Sequence, residues 1–269
     1  MIRAVVTGVA GRMGSLLVRA VRDAEGFQLV GATEQPGTAA VGLDAGLAAG
    51  LGMLEVPVCD NLAKALQLSS GADAVIDFTH YKASVAHAEI CAEQKVALVV
   101  GSTGFTPEAR ERITKCSKTI PIVMSPNMSV GVNLMIRMAG ELAKVLGSSY
   151  DVEILELHHR QKVDAPSGTA LRLAEVLAET LGRNRAKDLV TSRSGPIGAR
   201  SREEIGIQAL RGGDAVGEHT VFFLGAGERI ELTHRSTSRD GFATGAVRAA
   251  KWLVGKPPGL YSMQDVLGL

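Results

Sequence analysis

The chain has 269 residues, 46% of them hydrophobic, which is enough for two domains of ordinary size with substantial cores. Its 29 basic and 28 acidic residues leave a net charge of +1, and aromatic residues make up only 4%. That balance lacks the electrostatic footprint of a nucleic-acid or anionic-membrane binder and the stacking platforms of a single-strand binder, so a small molecule is the expected partner.

The first half alternates short apolar runs with longer helical patterns. Strands are expected at Ile2 to Thr7, Leu29 to Thr33, Ala74 to Phe78, Ala97 to Val100 and Ile120 to Met124. Helices are expected near Arg12 to Ala24, Asn61 to Ser69, Lys82 to Glu93 and Pro107 to Ser117. Such alternation implies right-handed crossovers and a parallel sheet covered by helices, with ligands at the carboxyl ends of its strands.

Directly after the first strand comes Gly8-Val9-Ala10-Gly11-Arg12-Met13-Gly14, opening a helix. Its Gly-x-x-Gly-x-x-Gly spacing departs by one residue from the usual dinucleotide fingerprint, yet the physical needs are the same. Gly8 permits a tight turn, Gly11 lets the backbone approach a pyrophosphate, and Gly14 permits close packing of helix on strand. Glu34, 20 residues after Gly14 at the end of the second strand, is placed to accept hydrogen bonds from a ribose diol. Arg12 suits a 2′-phosphate whereas Gln35 lacks the charge often used for one, so the choice between NADH and NADPH stays open. Gly101-Ser102-Thr103-Gly104 and Ser125-Pro126-Asn127-Met128 follow the fourth and fifth strands and are expected to face a nicotinamide ring.

From Ser129 to Gly147 the pattern is helical, and strands are then expected at Asp151 to Arg160, Glu204 to Arg211, Glu218 to Leu224 and Glu228 to His234. Gly182 to Arg202 reads as a solvated basic loop able to move over a ligand. Gly241 to Val254 is helical again and returns to pack on the first domain. The expected fold is α/β: an N-terminal Rossmann-type dinucleotide-binding domain, residues 1–127 with 238–269, and a second α+β domain on an open mixed sheet, residues 128–237.

Within the second domain, Glu156 to Thr169 reads Glu-Leu-His-His-Arg-Gln-Lys-Val-Asp-Ala-Pro-Ser-Gly-Thr. His158 and His159 can exchange protons near neutral pH, and Arg160 and Lys162 are positive charges beside them. Pro166 is expected to stop the strand and Ser167 to cap a helix running to Leu181. Gly168 and Thr169 then lie in a first turn, where backbone N–H groups lack intrahelical acceptors and bind carboxylates or phosphates. A solvated histidine pair before an ordinary cap is the blander reading, and the crowding of these features favours a site.

Cys59, Cys91 and Cys116 are odd in number and widely spaced, so neither a disulfide framework nor a metal site is suggested. The chain enters its first strand without a leader and has no run near the roughly 20 apolar residues of a membrane span, so a cytoplasmic protein is expected.

These motifs resemble the 4-hydroxy-tetrahydrodipicolinate reductase family, also called dihydrodipicolinate reductase, over nearly the whole chain. The resemblance rests most on Glu156 to Ala170, Gly8 to Gly14, Gly101 to Gly104, Ser125 to Asn133 and Gly213 to Thr220. It implies reduction of a cyclic, unsaturated dicarboxylate by NADH or NADPH in the diaminopimelate route to lysine, in a homotetramer assembled through the second domain. It implies that His158 is catalytic, that Lys162 donates a proton or binds a carboxylate, and that His159, Gly168 and Thr169 contact substrate. Gly8 to Met13, Glu34, Gly101 to Thr103 and Ser125 to Met128 match cofactor contacts. Gln35 stands where many members carry Arg, and Met128 where another common form has Phe, which would soften the wall near the nicotinamide.

Hydride transfer needs groups that deliver a proton and stabilise developing negative charge. His158 is the first choice for the acid and Lys162 the competitor. A cleft between the domains would hold both ligands, with hinges near Asn127 to Ser129 and Ser236 to Asp240. The alternatives are another nicotinamide-dependent reductase of carboxylated imines or ketones, and a dinucleotide-binding sensor with no use for His158 and Lys162. A Ser167 hydrolase is disfavoured because no Gly-x-Ser-x-Gly elbow surrounds that serine.

Overall fold

The computed structural model describes residues 1–269. In chain order the elements are β1 (Ile2–Thr7), α1 (Arg12–Asp23), β2 (Phe27–Thr33), α2 (Ala45–Ala48), β3 (Val58–Cys59), α3 (Leu62–Leu68), β4 (Ala74–Asp77), α4 (Tyr81–Gln94), β5 (Ala97–Val100), α5 (Pro107–Cys116), β6 (Pro121–Met124) and α6 (Val130–Leu146). After a 3-10 turn at Gly147–Ser149 follow β7 (Asp151–His158), α7 (Gly168–Leu181), α8 (Arg185–Asp188), β8 (Leu189–Val190), β9 (Ile205–Arg211), β10 (Gly217–Leu224), β11 (Arg229–Ser236), α9 (Asp240–Leu253), β12 (Gly259–Tyr261) and α10 (Met263–Leu267). Two compact units result, Met1–Val130 with Arg239–Leu269, and Gly131–Ser238.

The first unit is a parallel sheet of seven strands in the order β12-β6-β5-β4-β1-β2-β3. Every residue of β4 and β5 is buried, so these strands read as unbroken apolar runs with helices on both faces. One face packs α1 and α9 through Leu17, Val18, Val21, Ala246 and Leu253. The other packs α3, α4 and α5 through Leu62, Leu66, Val85, Cys91 and Ile113. Helix starts are set locally: Thr106 accepts from the Ala109 N–H and Pro107 opens α5 with its φ already helical. Strand order reverses between β1 and β4, the switch point at which such sheets bind ligands.

The second unit is a mixed sheet of five strands, β11-β10-β7-β9-β8, with β10 antiparallel to both β7 and β11. Alternate residues of β7 and β10 are buried, and α6 and α7 cover that face through Met135, Ala139, Leu173 and Leu177 against Ile154, Ile207, Val221 and Phe223.

Three expectations are corrected. The strand expected to reach Arg160 ends at His158, because His159 N–H turns to the Ala215 carbonyl and Arg160 N–H to that of Gly213. Pro166 therefore stands in the following loop and does not stop the strand. The basic segment 182–202 contains α8 and β8, and two of its arginines are ion-paired to β7: Arg193 and Arg200 grip Glu153 at 2.8 to 2.9 Å, and Arg200 also reaches Asp151 at 2.8 Å. Burial pushes the Glu153 carboxyl up, but the two guanidiniums more than offset it and hold it below the usual range. Finally, β12 and α10 extend the first unit beyond Val254, where no element was expected.

Candidate active site

At the carboxyl end of the parallel sheet the chemistry is mostly backbone. Gly8 has φ +68°. A Cβ on Gly14 would lie 1.8 Å from the Gly8 carbonyl oxygen, and one on Gly11 3.2 Å from it, so the helix start presses against the loop as a pyrophosphate cradle requires. Gly11 caps α1 without a side-chain hydrogen bond, which leaves its dipole and first-turn N–H groups directed at the loop. Ala10, Gly11 and Arg12 are exposed, whereas Val9 is buried, so Val9 offers only its backbone. The Glu34 carboxylate accepts from Ala10 N–H at 2.9 Å and Gln35 N–H at 2.8 Å, which fixes an acid at the rim of the loop. These residues fit a dinucleotide.

The loops after β4, β5 and β6 stand beside it, and a buried carboxylate that the sequence reading missed joins β1, the loop after β4 and α4. Asp77 Oδ1 accepts from Thr7 Oγ1 at 3.0 Å, Thr79 N–H at 2.8 Å and Thr79 Oγ1 at 2.6 Å, while its Oδ2 lies 3.0 Å from His87 Nδ1. Burial pushes the Asp77 carboxyl up, and the bonds from His87 and Thr79 outweigh this and hold it down. Ser102 is buried, with its hydroxyl donating to the Thr79 carbonyl at 2.8 Å and 2.7 Å from Ser84 Oγ, so its side chain joins the loops to each other. Gly101 is required because a Cβ would enter the Phe78 ring at 2.3 Å. Thr103 and Pro126 are exposed, Asn127 is partly exposed, and the buried Ser125 donates to the Asn127 carbonyl at 2.9 Å. Met128 departs from expectation: it is 1% exposed and packs in the core, so its side chain does not form a softer nicotinamide wall.

In the second unit the predicted residues converge around β7 and the start of α7. His158 is buried, with Nδ1 2.6 Å from Glu156 Oε2. Glu156 also accepts from Arg211 Nη1 at 2.7 Å, Arg211 Nη2 at 2.8 Å and Ser167 N–H at 2.9 Å. Burial pushes the Glu156 carboxyl up, yet His158, Arg211 and Ser167 together pull it down to about 2. Ser167 caps α7, its hydroxyl accepting from Ala170 N–H at 3.2 Å and meeting His219 Nε2 at 2.9 Å. Burial, then the charges of His158 and His234 among others, lower His219 to about 4.

Gly168 is exposed at the helix start, and a Cβ there would meet nothing within 4 Å, so space in front of the turn is open. Thr169 and His159 are partly buried beside it. Lys162 Nζ is held by Asp164 at 2.7 and 2.9 Å, and this pair keeps the Asp164 carboxyl low. Arg160 is exposed. Arg211 and His219 were missed because they lie 55 and 63 positions from Glu156. A His inside the apolar alternation Gly217 to Leu224 was the available signal for the second.

The switch-point sheet, the glycine cradle with its acid, and the buried imidazole beside a helix start define a two-domain, nicotinamide-dinucleotide-dependent oxidoreductase. Residues 2–128 match the family model for the dihydrodipicolinate reductase N-terminus, and residues 131–267 that for its C-terminus. The chain belongs to the dihydrodipicolinate reductase family. It is 62% identical over 268 residues to a 4-hydroxy-tetrahydrodipicolinate reductase of Myxococcus xanthus, covering 100% of this chain and 98% of the relative. It is 58% identical to that of Anaeromyxobacter dehalogenans over 269 residues, with the same coverage. Among solved structures, a dipicolinate-bound dihydrodipicolinate reductase from Paenisporosarcina superposes with a TM-score of 0.78 at 28% identity, over 98% of both chains. An amine dehydrogenase from Mycobacterium smegmatis, 19% identical with a TM-score of 0.62 over 97% of this chain and 95% of its own, shares the fold.

Proposed function

We infer that this chain reduces the 4-hydroxy-tetrahydrodipicolinate ring to tetrahydrodipicolinate with NADH or NADPH, in the diaminopimelate route to lysine. The observation that carries this reading is His158, buried on an ionised carboxylate beside an open helix start and Lys162. That set is what a flat dianion requiring one proton calls for. The relative's dipicolinate is a ligand of the same class.

Gly8 to Met13 and Glu34 would hold a reduced dinucleotide, with Gly101 to Thr103 and Ser125 to Met128 contributing chiefly backbone. When bound, it supplies the hydride. The chain's own residues do the rest. One substrate carboxylate meets the backbone of Gly168 and Thr169 and the positive end of α7. The other meets Lys162, displacing Asp164 from its ammonium, while His159 lines the same edge. Loss of water from the ring leaves a conjugated imine. After reduction the enamine carbon needs a proton, which His158 delivers from Nε2 while Glu156 holds Nδ1. Lys162 is the alternative donor, and its grip on Asp164 makes anchoring its better role.

The sheet face turned away from α6 and α7 carries Leu155, Leu157, Gln208, Leu210, Thr220 and Phe222, with Leu157 paired to Leu210 and Leu155 to Thr220. Leu210 is 49% exposed. This supports assembly of a homotetramer through the second domain, checked by native mass spectrometry. No helix is long and apolar enough to cross a membrane, and three unpaired buried cysteines suit a reducing, cytoplasmic setting.

The test follows oxidation of NADH, with NADPH in parallel, after pyruvate and aspartate semialdehyde are condensed in place by the preceding synthase. Rapid oxidation is expected. Folded protein that binds dinucleotide but oxidises neither would return the assignment to another imine reductase or a sensor.

A further inference from the structure

Glu156 neither delivers a proton nor meets the substrate in the scheme above, yet it is fully buried and holds four donors from three elements. These are His158 Nδ1 on its own strand, both terminal nitrogens of Arg211 on β9, and Ser167 N–H at the start of α7. Arg211 is itself fixed by donating from Nη2 at 2.7 Å to the backbone carbonyl of Asp164, the residue whose carboxylate holds Lys162.

We propose that Glu156 is the positioning residue of this site: one carboxylate holds the His158 ring with its proton on Nδ1 and seats the anion-binding start of α7 in the same grip. This rests on the assignment of His158 as proton donor.

The physical argument runs through acceptor chemistry. An ionised carboxylate can only accept, so the nitrogen 2.6 Å from it must carry hydrogen. Nε2 is left as the nitrogen that gains and loses a proton. Gly217, the first residue of β10, leaves that nitrogen room, since a Cβ there would stand 2.9 Å from it. The charged and titratable groups around the ring are few. Glu156 faces it from β7, and Arg211 from β9 spends its charge on Glu156. From β10, His219 packs edge-on with ring centroids 5.2 Å apart. Burial keeps His219 neutral at neutral pH, so it adds no charge against a protonated His158. Lys162 and His234 are near enough to act on His219 electrostatically. The carboxylate is thus the nearest charge to the ring, and Ser167 links the same carboxylate to the helix that receives the substrate.

The experiment uses the full-length protein labelled with 15N-histidine. In its neutral form the wild-type His158 ring is expected to show the Nδ1–H tautomer, which is the minor form of free imidazole side chains in water. An Nε2–H tautomer would overturn the proposal without any substitution, even if the variant fails to fold. Glu156→Gln keeps shape and one acceptor but turns an amide N–H towards His158 or Arg211. It is expected to lower kcat roughly 10- to 100-fold with a smaller change in KM. The His158 ring 15N shifts should depart from the wild-type Nδ1–H pattern towards those of a free imidazole. Unchanged ring shifts in a folded Glu156→Gln protein would also overturn the proposal. Altered ring shifts with an unchanged kcat would uphold the positioning and remove His158 as the acid.

Discussion

The nucleotide end of the parallel sheet and the histidine end of the mixed sheet solve different problems with different materials. The first is a cradle of backbone in which glycines are used for the side chains they lack; a Cβ on Gly14 would stand 1.8 Å from a carbonyl oxygen. The second is a knot of side chains in which Glu156, His158, Arg211, Ser167 and His219 are joined by hydrogen bonds and opposite charge. Binding a pyrophosphate asks for close approach and N–H groups, which backbone supplies at any residue with room. Delivering a proton asks for one titratable group in a set orientation, which only neighbouring side chains provide.

That contrast is broken most severely at the proton donor. His158→Gln should lower kcat by about 10²- to 10⁴-fold while substrate binding changes less, measured by steady-state kinetics and calorimetry with dipicolinate. Lys162→Ala, by comparison, should damage both parameters. Unchanged turnover in the His158 variant would move the acid role to Lys162.

Acid should loosen the side-chain knot next. His219 sits at about 4 when folded, below its ordinary 6.5, so the unfolded chain takes the proton first and stability falls as pH drops from about 6.5 towards 4. Glu156 is lowered from 4.5 to about 2, so its contribution is present above about 4.5 and is lost as pH falls towards 2. Urea titrations across this range should show His219→Gln losing the upper arm of the decline, and identical slopes in both proteins would refute the assignment.

In the backbone region, Gly14→Ala should destabilise by about 1–3 kcal/mol through overpacking and weaken NADH binding, read by thermal melts and fluorescence titration. A variant of native stability with native affinity would show that the helix start can retreat. The mildest change is Glu34→Ala, which should raise the KM for NADH about tenfold by removing the ribose acceptor and freeing Ala10 N–H. Wild-type affinity there would refute the ribose role.

The same contrast explains what could be read early. The strands β1, β2, β4, β5 and β6 are apolar runs bounded by turns, and the cradle is local, spanning Gly8 to Gly14, so spacing alone exposed them, whereas the two-residue β3 was too short to show. Ser167 was legible as a cap because capping is also local. Asp77 was not, since its partners Thr7 and His87 come together only when β1 lies beside β4 and α4 packs on the sheet. The basic loop misled for the same reason: Arg193 and Arg200 look solvated until Glu153, 40 and 47 residues away, is placed beneath them.

By itself, then, the amino-acid order determined the alternation of strands and helices, the glycine cradle and the residue types gathered from Glu156 to Thr169, because each depends on neighbours within a few positions. Only the tertiary structure decided that Met128 is core, that Ser102 faces inward, and that one buried carboxylate joins His158, Arg211 and Ser167. Those outcomes depend on which strands become adjacent and on burial, which makes an unpaired charge too costly to leave and so dictates who must pair with whom.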